Sequence, residues 1–468
     1  MNKPSRTTFR ARLDTMVQQL REDIISGRLT PGSYLPSEEV LGEQFQLSKK
    51  SVRKGLETLV NENLIVKKAK VGNMVLSPSG NSDRISIRFC YYPDVDQESN
   101  IHNLLDEFES RYPHIQVKRL TMHTLQYSEQ AIEFMNDSML DVIMLNYYDF
   151  SYFNNKSHLK LLTEQEIDPT IYSFLNRAFV VDGKSYVKPF TFSPVILCYN
   201  KKHFQEAGLQ EPDSSWTWDD FNRAAEALTD TEELNKRFGF FFYLLSQNRW
   251  PLWLLQNHFM LQKNEEGKYS LNDEAFIKSI HMLKELFSQE YSAPSFVFES
   301  AQDPERLFIE ERTSMILTTY FRLNTIKSVP FEYDISPVPY VDTPITLLLN
   351  IGLAISSQSQ QKEAAQLLVD FLTSKEAQES VRNSTLSLPS MKEVAEQDRT
   401  DKRGEPSRFQ MFREIIPSFR YYSDMNIERY HLRIMTHYLK MYWSDLDSAA
   451  NVIASIEQVL NNDKSNVS

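Results

Sequence analysis

Two apolar rhythms run along this chain, and each marks a different kind of element. Leu13, Val17, Leu20, Ile24 and Ile25 recur at the three-to-four spacing that gives a helix one apolar face. Gly27, Pro31 and Gly32 then break the pattern. Val40, Leu41 and Phe45 repeat the spacing over a shorter span, and Val52, Leu56, Leu59 and Val60 repeat it again. Ile65-Val66-Lys67 and Met74-Val75-Leu76 read as two strands, with Lys68, Lys70, Gly72 and Asn73 in or near the turn between them. Beyond residue 84 the rhythm changes. Ile85-Ser86-Ile87-Arg88-Phe89-Cys90 is a strand. Ile101–Arg111 is a helix with Leu104, Leu105 and Phe108 inside, and Ile115-Gln116-Val117 is a second strand. Residues 126–138 form another helix, and Asp141-Val142-Ile143-Met144-Leu145 a third strand. This alternation predicts a doubly wound α/β arrangement, in which ligands sit beyond the carboxyl ends of the strands. Here those ends are Tyr91-Tyr92-Pro93-Asp94 and Asn146-Tyr147-Tyr148-Asp149.

The polar residues of the first 76 positions sharpen the picture. Ser37 follows Pro36 and can cap a helix, with Glu38 and Glu39 at the positive end of its dipole. Ser48 can cap the next helix, whose first turns and outer face carry Lys49, Lys50, Ser51, Arg53 and Lys54. Cations and short donors near a helix start, with an apolar stripe behind, suit insertion into the DNA major groove, and a basic two-stranded wing suits the phosphates or the minor groove. This is the layout of a winged helix-turn-helix. An amphipathic lysine-bearing helix by itself is more often a solvated surface helix; the combination is what carries the reading. The stretch LPSEEVLGEQFQLSKKSVRKGLETLVNENLIVKKAKVGN, with the helix before it, resembles the DNA-binding domain of the GntR family of bacterial transcription regulators. The DNA contacts that follow are Ser37, Ser48, Lys49, Lys50, Ser51, Arg53, Lys54, Lys70, Gly72 and Asn73. Lys49 stands where the family usually has Arg, and Ser51 where it usually has Thr. Lysine lacks arginine's bidentate fork for guanine, so no relative's operator sequence transfers to this chain.

Charge supports a division. Residues 1–80 hold 13 Lys and Arg against 8 Asp and Glu, a net of +5, whereas the whole chain is −12, leaving −17 for residues 81–468. A basic head on an acidic body is expected when only the head meets nucleic acid. The polar run Ser77-Pro78-Ser79-Gly80-Asn81-Ser82-Asp83 separates them. The predicted organisation is therefore a head at 8–77, a linker at 78–83 and a body at 84–468. Cys90 and Cys198, in apolar strand-like runs, read as buried free thiols. No N-terminal apolar segment of signal type and no run of transmembrane length occurs, which predicts a cytoplasmic protein without a membrane partner.

The body carries ordered phrases: PFTFSPVILCYNK, FQEAGL, WTWDDF, FIEERTSMILTTYFRL, YDISPVPY, LLLNIGLAISSQSQQKEAAQLLVDFLTSKEAQ and LSLPS. Together, from about 84 to about 395, they resemble the extracellular solute-binding proteins that serve carbohydrate ABC importers. The resemblance implies a two-lobed periplasmic-binding-protein-like (type 2) α/β domain. Lobe 1 would take about 84–192 and 312–336, and lobe 2 about 195–308 and 340–468, with crossings near 190–196, 309–318 and 334–340. Hinge closure around a ligand is a two-state motion that can reset the spacing of two DNA-binding heads.

The expected function is thus a DNA-binding transcription regulator, acting as a homodimer on operator DNA, whose body senses a small molecule, a sugar or oligosaccharide first. An acidic or phosphorylated sugar and a peptide are the alternatives. Candidate ligand residues are Tyr92, Asp94, Asn146, Tyr147, Phe190, Arg249, Trp250, Tyr320, Arg322 and Asn350. Sugars present apolar C–H faces and hydroxyl edges, which call for aromatic faces and planar polar groups. Trp250 stands out because Asn248-Arg249-Trp250-Pro251 looks loop-like. For every aromatic the competing reading is core packing, since aromatics make up 12% of the chain. Arg249 and Arg322 would make a charged sugar credible if both enter the cleft. One GntR branch instead fuses the head to an aminotransferase, which needs a Schiff-base lysine and glycine-rich phosphate contacts. With 12 glycines in all, no such lysine phrase and no nucleophile, P-loop or zinc-protease motif, no enzyme activity and no cofactor are expected. Nine scattered histidines give no metal-ligand spacing. The C-terminal helices, with Tyr430, Ile434, Tyr438, Met441 and Trp443, could pack on the second lobe or serve dimerisation.

Overall fold

In the computed structural model the described residues are 6–25, 28–30, 32–62, 64–68, 72–76, 84–122, 126–153, 156–231, 236–293 and 302–462. Lys70 and the linker 78–83 lie outside them. Packing divides the chain into two compact units, Met1–Arg88 with His102–Lys118, and Phe89–Ile101 with Arg119–Ser468.

Within residues 6–76 lie the helices α1 (Arg6–Ile25), α2 (Glu38–Gln44) and α3 (Lys49–Asn61) and the hairpin β1 (Ile65–Lys68) and β2 (Gly72–Val75). Both serine caps form: Ser37 accepts from Val40 N at 3.3 Å, and Ser48 accepts from Ser51 N at 3.2 Å. Each cap is worth about 1 kcal/mol, enough to matter for a helix as short as α2. Gln46, at φ 54°, turns the chain between α2 and α3. The apolar stripes meet in one core of Met16, Val17, Leu20, Leu41, Val52, Leu56, Leu59, Ile65 and Val75. The hairpin is antiparallel in the register Ile65↔Val75 to Lys68↔Gly72, and Leu35 N donates to Asn73 O at 2.9 Å, tying the entry to α2 onto the wing.

The remaining strands are β3 (Ile85–Tyr91), β4 (Ile115–Thr121), β5 (Val142–Asn146), the short pair β6 (Val180–Val181) and β7 (Lys184–Ser185), β8 (Lys188–Asn200), β9 (Phe238–Phe241), β10 (Thr313–Thr319), β11 (Tyr333–Ser336), β12 (Thr346–Ile355), β13 (Leu388–Pro389) and β14 (Phe419–Arg420). One mixed sheet runs β4-β3-β5-β12-β8-β10-β9, with β11 and β13 added to β8 and β14 to β12. The 13-residue β8 is the pivot. Its first half pairs with β12 and β13, and its second half with β10 and β11. The segments 190–196, 309–318 and 334–340 overlap β8, β10 and β11, and β12 pairs with both β8 and β5.

Alternation along these strands feeds two cores on opposite faces. Val195, Leu197, Tyr199, Met315, Leu317 and Leu347 face one, while Ile196, Cys198, Ile316 and Leu348 face the other. The C-terminal helices Arg429–Trp443 and Ala449–Asn462 complete the first core through Leu432, Met435, Leu439, Trp443, Val452, Ile456 and Leu460. Residues 386–412 belong to the second core instead, because β13 pairs with the first half of β8. Residues 340–468 thus contribute to both cores. Cys90 and Cys198 are buried free thiols, and burial pushes the Cys90 thiol up to about 12. No described helix is long and apolar enough to cross a membrane.

Gly239 in β9 lies close against backbone. A methyl group there would lie 1.9 Å from the Ala225 carbonyl oxygen of the helix Trp218–Ala227. Backbone, not a movable side chain, blocks it. Gly239→Ala should destabilise the body by at least about 1–3 kcal/mol, the cost of overpacking a close-packed site. A thermal melt showing an unchanged body transition would mean that helix and strand can separate freely.

Candidate functional site: a charge-balanced cavity beside the pivot strand

The cavity is built where three strand ends meet. Chain leaving β3 supplies Asp94 and Glu98, chain leaving β9 supplies Tyr243, Ser246, Asn248 and Arg249, and chain leaving β10 supplies Thr319, Phe321 and Arg322. Pro304 and Glu305 close one side, and Leu317 and Leu349 the floor, around about 360 Å³. Phe321 is fixed through its backbone, whose N–H donates to Ser193 Oγ of β8 at 3.3 Å.

Its charges face one another. Arg322 lies 3.7 Å from both Asp94 Oδ2 and Glu305 Oε2. Glu305 is 1% exposed, and its Oε1 accepts from Thr318 Oγ1 at 2.7 Å while Oε2 is buried without a hydrogen-bond donor. Arg249 is buried and donates from Nε to Leu317 O at 3.1 Å and from Nη1 to Asn248 O at 3.2 Å. Desolvation lowers Arg249 to about 10, opposed by the nearby Glu305 carboxylate and reinforced by Arg322. Desolvation also raises the half-buried Glu98 to about 8, against the pull of Arg322 and with a push from Asp94. At neutral pH Glu98 therefore keeps its proton for the most part. Two guanidiniums then face two carboxylates, with Glu98 as a neutral donor and Glu305 Oε2 as an acceptor awaiting a donor.

A second polar network adjoins the carboxyl end of β5. Asp149, 2% exposed, accepts from Tyr92 OH at 2.6 Å, Ser128 Oγ at 2.8 Å and Asn146 Nδ2 at 2.9 Å. Arg429, at the start of the helix Arg429–Trp443, donates to Asp149 Oδ1 at 3.0 Å and to Ser128 Oγ at 2.7 Å. Burial raises the Asp149 carboxyl and Arg429 draws it back down. Tyr422 OH, nearby in sequence, donates to Asn248 Oδ1 at 2.8 Å.

Of the ten ligand residues expected from sequence, Asp94, Arg249 and Arg322 meet in the cavity. Tyr92 and Asn146 do not line it; they hold Asp149. Tyr147 lies against Tyr421, ring centroids 4.6 Å apart, at a different cavity. Asn350 is fully buried and donates to Tyr421 OH at 3.3 Å. Three expectations are corrected. Trp250 is 0% exposed, with its ring edge against Trp443 and its Nε1 donating to Thr436 at 3.1 Å. Pro251 opens a helix, Pro251–Gln256, so Trp250 is a helix-entry residue packed inward and not a loop residue. Tyr320 is buried against Phe409 and Phe412, its OH donating to Phe409 O at 2.9 Å. Phe190 is buried within β8. Glu98, Glu305, Asn248, Asp149 and Arg429 were missed. Only Asp149 carried a signal, its place one turn beyond a strand end.

On the head, Lys49, Lys50, Arg53 and Lys54 are exposed on α3. Lys49 pairs with Glu39 at 3.1 Å and Arg53 with Glu38 at 2.7 Å, both across to α2. Ser37 and Ser48 serve as caps, and Ser51 is buried with its Oγ 2.7 Å from Ser48 Oγ, so its side chain is turned inward and not toward a groove. Gly72 is exposed and takes φ 137°, and Asn73 is half-buried. Among the described residues no group of three or more His, Cys, Asp and Glu is placed to hold a metal ion.

Trp250→Ala should act on stability, costing about 3–5 kcal/mol as a large core truncation. Loss of ligand response with an unchanged melting temperature would return Trp250 to the site. Glu98 yields a pH test. Its folded carboxyl holds a proton to about 8 against an ordinary 4.5, so its contribution to stability is full below the lower value and is lost as pH rises through the window. Glu98→Gln should remove that loss, so the variant gains on the parent in melting temperature from the acid to the alkaline end. Parallel curves would show that Glu98 titrates normally.

The model of the bacterial extracellular solute-binding protein family matches residues 92–379, and that of the bacterial regulatory proteins, gntR family, matches residues 13–75. A putative binding protein of Brucella abortus (strain 2308) is 24% identical over 232 residues, 49% of this chain and 56% of the relative. The chain thus spans about half the length of that curated relative. The HTH-type transcriptional repressor NagR of Bacillus subtilis (strain 168) is 40% identical over 63 residues, 14% of this chain and 26% of that protein. Among solved structures, the ABC substrate-binding protein Lmo0181 from Listeria monocytogenes, in complex with cycloalternan, aligns at a TM-score of 0.69 and 22% identity, covering 81% of this chain and 98% of that one. That likeness shows a two-lobed binding-protein fold. The chain belongs to the bacterial extracellular solute-binding protein family and carries, ahead of that domain, the DNA-binding module of the gntR-family regulatory proteins.

Proposed function

We propose that this protein is a cytoplasmic, homodimeric transcription regulator whose head, residues 8–77, binds operator DNA and whose body, residues 84–468, senses a neutral sugar or oligosaccharide. One observation carries the choice of ligand: the cavity beside β8 is balanced in charge. Arg249 and Arg322 are opposed by Asp94 and Glu305, and Glu98 keeps its proton. A carboxylate or phosphate entering there would displace partners the arginines already have, whereas hydroxyl groups can serve both kinds of neighbour. Glu305 Oε2 needs a donor, which a sugar hydroxyl supplies and a carboxylate does not. Phe321 and Tyr243 line the cavity and are its rings for the apolar side of a sugar. The Listeria neighbour of this fold was solved in complex with cycloalternan, which supports the same class.

The link to DNA runs through hinge closure. A sugar can alter operator affinity only by as much as it prefers one state of the body over the other. Lys49, Lys50, Arg53 and Lys54 on α3 are the cations assigned to the groove, with the wing beside it.

A titration of the full chain with neutral mono- and oligosaccharides, read as a rise in melting temperature, tests the sensor. Arg322→Gln should weaken that binding at least about tenfold, as the loss of one charged hydrogen-bonding group does, and leave sugar-free operator binding intact. Binding of charged sugars only, or a variant with parental affinity, would refute the neutral-sugar assignment. Arg53→Ala should weaken operator binding in a gel shift at moderate salt and leave the body's melting temperature unchanged. Parental affinity would remove Arg53 from the DNA contacts.

A further inference from the structure

The strand β12 separates the sugar cavity from a larger one. Leu349 lines the first, and Leu348, its neighbour on the opposite face, lines a cavity of about 680 Å³, within the range of small-molecule sites. Five aromatic rings stand among its lining residues. Tyr147 and Tyr421 meet at 4.6 Å, Phe174 and Phe419 at 5.6 Å edge to face, and Phe150 adds a fifth ring. Two further features point to a ligand. Asn350, two residues from Leu348 on β12, does not line the cavity itself and is tied to it through Tyr421. It is 0% exposed; its Nδ2 donates to Tyr421 OH, and its Oδ1 is buried with no hydrogen-bond donor. An orphaned buried carbonyl oxygen is costly unless a bound group satisfies it. The charged lining is Arg177, Arg420 and Asp424, one positive charge in excess. Asp424 already spends Oδ2 on Tyr421 N at 2.6 Å.

We propose that this cavity is a second small-molecule site, specific for a sugar that bears a phosphate or carboxylate. The rings take the C–H faces, Asn350 positions the Tyr421 hydroxyl and can accept from it when a ligand reorients it, and Arg177 with Arg420 holds the anion. Such a division of labour fits the two faces of one strand: the balanced cavity takes the neutral ligand and the cationic cavity the anionic one. Any coupling between the two cavities through β12 would change both affinities by the same factor.

The test uses the full chain and a panel of hexose and pentose phosphates and uronates, with the parent neutral sugars and inorganic phosphate as controls, read by calorimetry. A member of the anionic panel should bind the wild type. Arg177→Ala, at an exposed position away from the sugar cavity, should weaken it about tenfold, the effect of one charge-assisted bond. Arg322→Gln should leave it unchanged. Asn350→Asp, which puts a negative charge in the same place, should also weaken it. The neutral-sugar reading fails separately, by loss of neutral binding from the wild type. Three results overturn the second site: no anionic sugar binding at millimolar concentration, binding lost in R322Q but kept in R177A, or inorganic phosphate binding as well as any sugar.

Discussion

Everything in the body depends on one strand being long enough to serve two neighbourhoods. β8 spends its first half on β12 and β13 and its second half on β10 and β11. Because side chains alternate across a strand, those same residues also divide between two cores, Val195, Leu197 and Tyr199 on one side and Ile196 and Cys198 on the other. A slip of one residue would exchange the two faces and bury the wrong surface on both. Register is therefore over-determined, and a site built on the ends of β9 and β10 inherits that precision. Thr319 and Phe321 are placed by strand pairing to β8 and by the Phe321 N–H bond to Ser193, not by loop conformation.

The polar chemistry of the body follows from the same economy of contacts. Asp149 gathers three hydroxyl or amide donors and one guanidinium from a helix remote in sequence. A buried carboxylate with that many donors stays in place only while all are present, so the segment after β5 and the start of the helix Arg429–Trp443 report on each other. Arg249 is held differently, by carbonyl oxygens of its own neighbourhood, which fixes its direction and leaves its charge to be met by Glu305 across the cavity.

How much of this was legible beforehand depends on distance along the chain. The head was readable because its signals are local: Ser37 and Ser48 precede the stripes they cap, and the wing follows at once. The strands and helices from 85 to 146 were readable from period alone. Trp250 and Tyr320 misled because a bulky aromatic beside a proline or at a strand end is compatible with both a pocket and a core, and only the opposing residues, Trp443 and Phe409, settle it. Glu98, Glu305 and Arg429 could not be found by pattern. Each sits on a helix that looks like an ordinary charged surface helix, and each acquires meaning only from partners such as Arg322 or Asp149 that lie 224, 17 and 280 positions away. Ser51 shows the reverse error: a small hydroxyl on the helix assigned to the groove is consumed by its own cap.

The pairs from Glu38 to Arg53 and from Glu39 to Lys49 give the head an unusual electrostatic economy. A bare basic helix is shadowed by dissolved anions, and DNA its cations. Here two of the four α3 cations bring tethered carboxylates as counter-ions that cannot diffuse away. In the proposed DNA contact, Glu38 and Glu39 would compete with the phosphates for Arg53 and Lys49. The acidic residues of α2 thus lower the net positive charge that α3 would bring to that contact, and with it the number of counter-ions the contact would release.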